Sequence, residues 1–251
     1  DSKEGYKWTS DGKTGFTLSN FEQENHGTII VLYLNDEGKE FASKWRIDSI
    51  IKKYSNHVSF PIFLHYKEKN TDDKEKEIVE DKCDQMNEAS AFWKKPKSSL
   101  KNENYVDFYK TLSNDFDDPM FHVHTQAEGT IDYTTLFYIP AKAPFDIFQS
   151  DYKSGIKLYV KRVFITDDDK ELMPVYLRFV KGIIDTEDLP LNVSREILQQ
   201  NHILSKIRKN SVKKLLSEFK KLSNDKEKYL TFFNEYGKLI KEGLYQDFEN
   251  R

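Results

Sequence analysis

Pro190 constrains this chain more than any other residue. Its ring removes an N–H and biases Leu189 toward an extended backbone, so residues 188–192 cannot lie inside a helix. Ser194 then reads as an N-cap, with Arg195 and Glu196 opening a helix. Arg195 and Gln199 stand four apart and share one face of that helix. A loop with two apolar knuckles, Leu189 and Leu191, thus hands a guanidinium and an amide to whatever lies opposite. Spacing alone also fits an ordinary helix start carrying a surface arginine.

Before this loop, strand and helix patterns alternate. Tyr6-Lys7-Trp8 and Gly15-Phe16-Thr17-Leu18 flank Asp11-Gly12, a hairpin signal. Residues 28–34 are β-branched and loosely alternating, which predicts a strand. Phe41, Trp45, Ile47, Ile50 and Ile51 recur at helical spacing, and residues 57–64 return to strand character with Pro61 near an edge or end. A helix is expected around Tyr105-Val106-Asp107-Phe108-Tyr109, then strands at 122–125, 130–139 and 156–165, with Ile156, Leu158 and Val160 on one face. Residues 173–180 are too apolar for a loop, and pattern does not choose between helix and strand there.

After the loop the chain is helical. Val212, Leu215, Phe219 and Leu222 form one face. Asn224 with Glu227 approximates a cap for a last helix that buries Tyr229, Phe233, Tyr236 and Ile240 and stops near Gly243. The order of elements predicts an α/β fold in two pieces. Between the pieces, residues 67–85 are dense in Lys, Glu and Asp without an apolar period, which reads as a solvated linker.

Charged residues make up 32% of the chain yet the net charge is only −3, so composition gives no general pull toward nucleic acid or an anionic membrane. No apolar run has the length of a membrane span and no signal peptide opens the chain. Cys83 is the single cysteine, excluding an internal disulfide and a zinc cluster of cysteines. His122 and His124 share a strand face but lack a third ligand nearby, and Asp167-Asp168-Asp169 lacks the alternating ligands and glycine of a calcium loop, so no metal is expected. Position 1 is Asp without a preceding Met, which suggests a fragment or a processed product.

Several stretches in order resemble the heat-shock protein 90 family. They are Gly27-Thr28, Trp45-Arg46, Tyr54-Ser55, Asn114-Asp115-Phe116-Asp117-Asp118-Pro119, Ala143-Pro144-Phe145-Asp146, Leu158-Tyr159-Val160-Lys161-Arg162-Val163-Phe164-Ile165, Arg178-Phe179-Val180-Lys181-Gly182 and the loop from Leu189 to Gln200. The short charged tract is similar to that of bacterial or organellar members. The resemblance implies three parts: residues 1–66 as the end of the amino-terminal ATP-binding domain, 67–85 as a charged linker, and 86–251 as most of the middle domain. That middle domain is expected to be an α/β/α sandwich to about residue 200 and a helical segment after it. The chain would then begin inside the ATP-binding domain and end before the dimerisation domain.

By the same resemblance the intact protein is a cytoplasmic, homodimeric, ATP-hydrolysing chaperone acting on unfolded or partly folded clients. Arg195 would reach the γ-phosphate of Mg-ATP held by the amino-terminal domain, and Gln199 would be a second polar residue of the same loop. Leu189 and Leu191 would form its docking surface, Thr28 would lie near the nucleotide, and Phe116 is a candidate client contact. This fragment alone is expected neither to bind ATP tightly nor to hydrolyse it, because it has no P-loop and the resemblance places the nucleotide lid elsewhere. No nucleic acid or membrane partner is expected. A rival reading takes the basic helix 203–221, with Lys206, Arg208, Lys209, Lys213, Lys214, Lys220 and Lys221, as a nucleic-acid-binding module, although it lacks interleaved exposed aromatics.

Overall fold

The structure, a computed structural model, describes residues 4–22, 25–71, 77–149, 152–167, 172–191 and 201–250. The chain divides into two compact units, residues 1–42 and 43–251. The boundary expected near residue 66 thus falls inside the second unit.

In the first unit, β1 (Gly5–Ser10) and β2 (Phe16–Phe21) pair antiparallel. Asp11 fixes the turn between them, its carboxylate accepting from the backbone N–H of Lys13 and of Thr14 at 2.9 Å each. These bonds to the charged form hold the Asp11 pKa down at about 2. A lone two-stranded ribbon has no second layer to pack on. Trp8 and Phe16 accordingly stack on each other at 6.1 Å while both stay exposed.

Residues 28–34 depart from expectation: they form no strand among the described residues. Ile29, Ile30, Val31, Leu32 and Tyr33 all stand exposed. β-branched residues suit a strand only where a neighbouring strand accepts their backbone hydrogen bonds, and no sheet edge of the first unit meets these.

The second unit opens with α1 (Lys44–Tyr54), capped by the Ser43 hydroxyl. Next come β3 (Phe63–Thr71) and β4 (Glu77–Gln85), an antiparallel hairpin with His65 opposite Cys83 and Glu68 opposite Glu80. The charged stretch 67–85 is therefore largely paired strand rather than unstructured linker. Its stability comes from the ladder and from charged pairs, such as Lys82 with Glu68, that need no apolar period. Beyond it Asn87 is buried and accepts from Ile62 N–H at 2.8 Å while its amide donates to the Phe60 carbonyl at 3.0 Å, fixing the 55–62 connection.

The main sheet has five strands: β5 (Phe121–Ala127), β6 (Tyr133–Ile139), β7 (Gly155–Val160), β8 (Val163–Thr166) and β9 (Lys181–Thr186), in the order β5-β6-β9-β7-β8. Only the β7–β9 pairing is parallel. The single strand expected over 156–165 is two, because Lys161 and Arg162 take φ of 50° and 67° and turn the chain back as a tight hairpin. Such turns favour Asn-Gly, so Lys-Arg gives no signal for one.

Each side of this sheet is covered. On one, Leu136, Tyr138 and Ile183 pack with Trp93 and with Tyr105 and Tyr109 of α2 (Asn102–Ser113). On the other, Phe137, Ile139, Leu158 and Ile184 pack under α3 (His202–Leu222) and α4 (Lys226–Gln246). These are the three layers of an α/β/α sandwich. Residues 173–180 prove to be neither helix nor strand but a 3-10 turn at Val175–Leu177. The last helix is capped by Asp225 rather than Asn224, and it buries Phe232, Tyr236 and Leu239 with Tyr229, Phe233 and Ile240 at the margin.

Two features of β9 bind the layers. A Cβ on Gly182, at φ +152°, would lie 2.2 Å from the Leu136 carbonyl oxygen, so the close β6–β9 approach requires glycine there. The Asp185 carboxylate, fully buried, accepts from Trp93 Nε1–H at 2.8 Å and from Arg162 N–H at 3.1 Å. Gly182→Ala should cost about 3 kcal/mol through a clash with rigid backbone. Asp185→Ala should cost about 2–3 kcal/mol by orphaning two buried donors. Urea unfolding monitored by Trp fluorescence checks both, and a loss below about 1 kcal/mol in either would refute the corresponding constraint.

Candidate functional site

The sheet carries its connecting loops at two opposite ends; of the expected site residues described in this unit, Leu189 and Leu191 lie at one end and Phe116 at the other. Strands of six or seven residues at about 3.3 Å each put roughly 20 Å between the two ends.

At the end where β9 stops, backbone and side-chain bonds pin the start of the Pro190 loop. Glu187 N–H and the Thr186 hydroxyl both donate to the Asp132 carbonyl at 3.1 Å, and Asp132 N–H donates to the Asp188 carboxylate at 2.6 Å. Leu189 is 1% exposed and belongs to the core, not to the docking surface expected for it. A regular strand would put Leu189 and Leu191 on one side, but residues 187–191 run through bends and a turn, and Leu191 faces out at 52% exposure. Ser194, Arg195 and Gln199 lie outside the described residues. The next described helix begins at His202, where the Asn201 side chain accepts from Ile203 N–H at 2.9 Å.

At the other end, the acidic loop after α2 is held by cations on three sides. Asp115 accepts from the Tyr109 hydroxyl at 2.7 Å and sits 3.9 Å from Lys181; Asp117 pairs with Lys142 at 3.2 Å and Asp118 with Lys110 at 2.8 Å. Burial opposes the Asp115 charge, but the Tyr109 hydroxyl, the Asp117 N–H and Lys181 outweigh it and hold the carboxyl below its usual range. Each acid turns toward its cation, and Phe116 between them is left 94% exposed. A ring so placed does not cap the core, and about 2 kcal/mol of burial is forgone.

A second exposed aromatic stands nearby that sequence reasoning did not single out. Phe145 is 97% exposed in the loop that carries Lys142. That loop is tethered throughout: Ala143 N–H donates to Glu235 at 2.9 Å, the Tyr236 hydroxyl to the Pro140 carbonyl at 2.9 Å, and Arg178 Nε to the Ile147 carbonyl at 2.9 Å. Its own turn signal, Pro144, marked a loop but not a ring facing water.

Thr28 is exposed on the unpaired stretch of the first unit. Of the basic residues on α3, Lys209 pairs with Glu249 at 2.6 Å, and Lys214 and Lys221 pair with Glu218 at 3.0 and 2.9 Å, which offsets part of the positive charge that a nucleic-acid reading needs. Among the described residues no cluster of three His, Cys, Asp or Glu could hold a metal ion, and no helix is long and apolar enough to cross a membrane.

The two histidines of β5 have other partners. The His124 Nε2–H donates to the Trp93 carbonyl at 2.9 Å, which leaves Nδ1 to accept from the Tyr105 hydroxyl at 2.9 Å. His122 stacks on the Tyr105 ring at 3.8 Å. Burial lowers both pKa values, that of His124 to about 4. His57, edge-on to Trp93, is lowered in the same way. Below pH 6.5 the unfolded chain therefore binds protons that the folded chain refuses. Stability should fall as pH drops from about 6.5 toward 4, and His124→Gln should flatten part of that slope. Urea midpoints measured across this window check the sign; a midpoint that rises on acidification would contradict it.

The model of the family described as Hsp90 protein matches residues 65–251. The "Chaperone protein HtpG" of Helicobacter pylori (strain J99) is 59% identical over 100% of the chain and 41% of that protein. The protein of the same description from Treponema denticola is 58% identical over 98% of the chain and 40% of that protein, and the one from Borreliella burgdorferi 54% identical over 99% and 40%. The chain thus spans about two fifths of the length of the curated relatives it matches.

Proposed function

This chain belongs to the Hsp90 family of heat-shock chaperones, and from that premise we propose that it is the middle part of an ATP-dependent chaperone. In this reading residues 86–251 hold unfolded or partly folded clients and complete an ATPase whose nucleotide pocket this chain does not itself form. The observation that carries the reading is the Pro190 loop, anchored at Asp188 and leaving Leu191 in solvent beside the segment that bears Arg195 and Gln199.

The residues present supply little of a nucleotide site. Thr28 offers one hydroxyl on an exposed stretch, and the sequence has no glycine-rich phosphate loop. They fit a contributing edge of such a site and not the whole of it, so the chain alone neither holds ATP tightly nor hydrolyses it. Bound ATP would supply a γ-phosphoryl group whose charge spreads over its oxygens during transfer. Arg195 answers that charge with a planar, permanently protonated fork, and Gln199, four residues on in sequence, adds a neutral donor. Leu191 provides the apolar contact that brings the loop against the nucleotide-bearing domain. The intact molecule is a cytoplasmic dimer of such chains.

Replacing Arg195 with Ala in the intact protein should lower steady-state turnover far more than ATP affinity, because the charge matters mainly in the transition state. The loss should be smaller than the roughly 10³-fold seen at the low end for arginine fingers, since docking also limits the rate. Lys should rescue poorly, and Leu191→Ser should also slow turnover by weakening docking. Normal turnover in a folded Arg195→Ala protein would reduce the loop to a helix start.

Clients are held at the opposite end of the sheet, where Phe116 and Phe145 stand in water among paired charges. Phe116→Ala should weaken suppression of client aggregation while shifting Tm by less than about 2 °C, as befits an exposed ring. A Tm drop beyond about 5 °C would return Phe116 to the core.

A further inference from the structure

On the α2 face of the sheet lies a cavity of about 680 Å³ that neither proposed activity uses. Its volume suits a small molecule. Phe92 and Phe108, stacked at 4.6 Å, form one wall, and Tyr159 of β7 lines another part. Lys157 stands two residues before Tyr159 on the same strand, and period-two alternation sends both side chains to this face while Ile156 and Leu158 enter the opposite core.

Lys157 is the distinctive member. It is half-buried, and among the described residues it has no hydrogen-bond or ion-pair partner. Burial lowers the pKa of its ammonium, with only a long-range pull from Asp167 in the other direction, which is the mark of a cation awaiting a counter-charge. The other charged residues of the cavity, Glu88, Asp107 and Lys95, are exposed at its mouth. His57 donates from Nδ1 to the Ser90 carbonyl at 3.0 Å, and burial favours its neutral form, so it adds no charge inside. The interior is thus aromatic with one positive point.

We propose that this cavity binds a small aromatic carboxylate, with the carboxylate on Lys157 and the ring against Phe92 and Phe108. Asn104 at the margin is placed to add a hydrogen bond. The site is independent of the chaperone reading, since neither Leu191 nor Phe116 lines it.

Titration of the ¹⁵N-labelled 251-residue chain with 3-phenylpropionate, followed by amide shifts, tests this. Millimolar or tighter binding should move the Lys157, Tyr159 and Asn104 signals, and 3-phenylpropanamide should bind at least about tenfold more weakly for want of the charge. Lys157→Met should cause a similar loss with an unchanged near-UV spectrum. Equal binding of acid and amide, no shifts at these residues up to about 10 mM acid, or undiminished binding to a folded Lys157→Met protein would each overturn the assignment. The acid–amide comparison on the unaltered chain decides the matter even if the variant fails to fold.

Discussion

A buried carboxylate organises the second unit. Asp185 has no solvent access, and three separate segments turn toward it: Trp93 through its indole N–H, the β7–β8 turn through Arg162 N–H, and Lys94 through its ammonium 3.7 Å away. Burial raises its pKa despite these donors, so the fold tolerates the charge rather than drawing net stability from it. Its value lies in specification, because only one arrangement of the three segments satisfies both oxygens. The same tryptophan carbonyl then receives His124, and the indole ring supports Phe108 of α2 and Tyr159.

With the sheet so fixed, its two ends can differ. One end gains an anchored loop that keeps Leu189 in the core and Leu191 out. The other gains two tethered loops, the first with Asp115, Asp117 and Asp118 all engaged, from which Phe116 and Phe145 protrude. Exposed aromatics on a firm base are suited to catching apolar segments without collapsing onto one another. The separation also keeps whatever binds at one end from obstructing the other.

Much of the layering was legible in sequence, and the misses have physical causes. The periods of α2 and α3 survive because each packs one face against a continuous core, while β6 was legible as a run of strand-forming residues buried on both faces. The 28–34 stretch has the right residues for a strand, yet strand formation depends on a partner that lies elsewhere in sequence. The charged hairpin hid because a ladder is built from backbone, which composition does not report. Leu189 and Leu191 read alike in sequence and would share a face in a strand; the bends after Thr186 are what turn one inward and leave the other out. Exposure of Phe116 could be suspected from its acidic neighbours, whereas Phe145 and Lys157 owe their settings to contacts distant along the chain.

The proposed division of labour between the two ends is open to one direct measurement. ATP turnover and suppression of client aggregation should be recorded together for Arg195→Ala and for Phe116→Ala in the intact protein. The expected result is a crossed pattern: turnover falls with holding retained in the first, and holding falls with turnover retained in the second. Loss of both activities in either folded variant would contradict separate sites at opposite ends of the sheet.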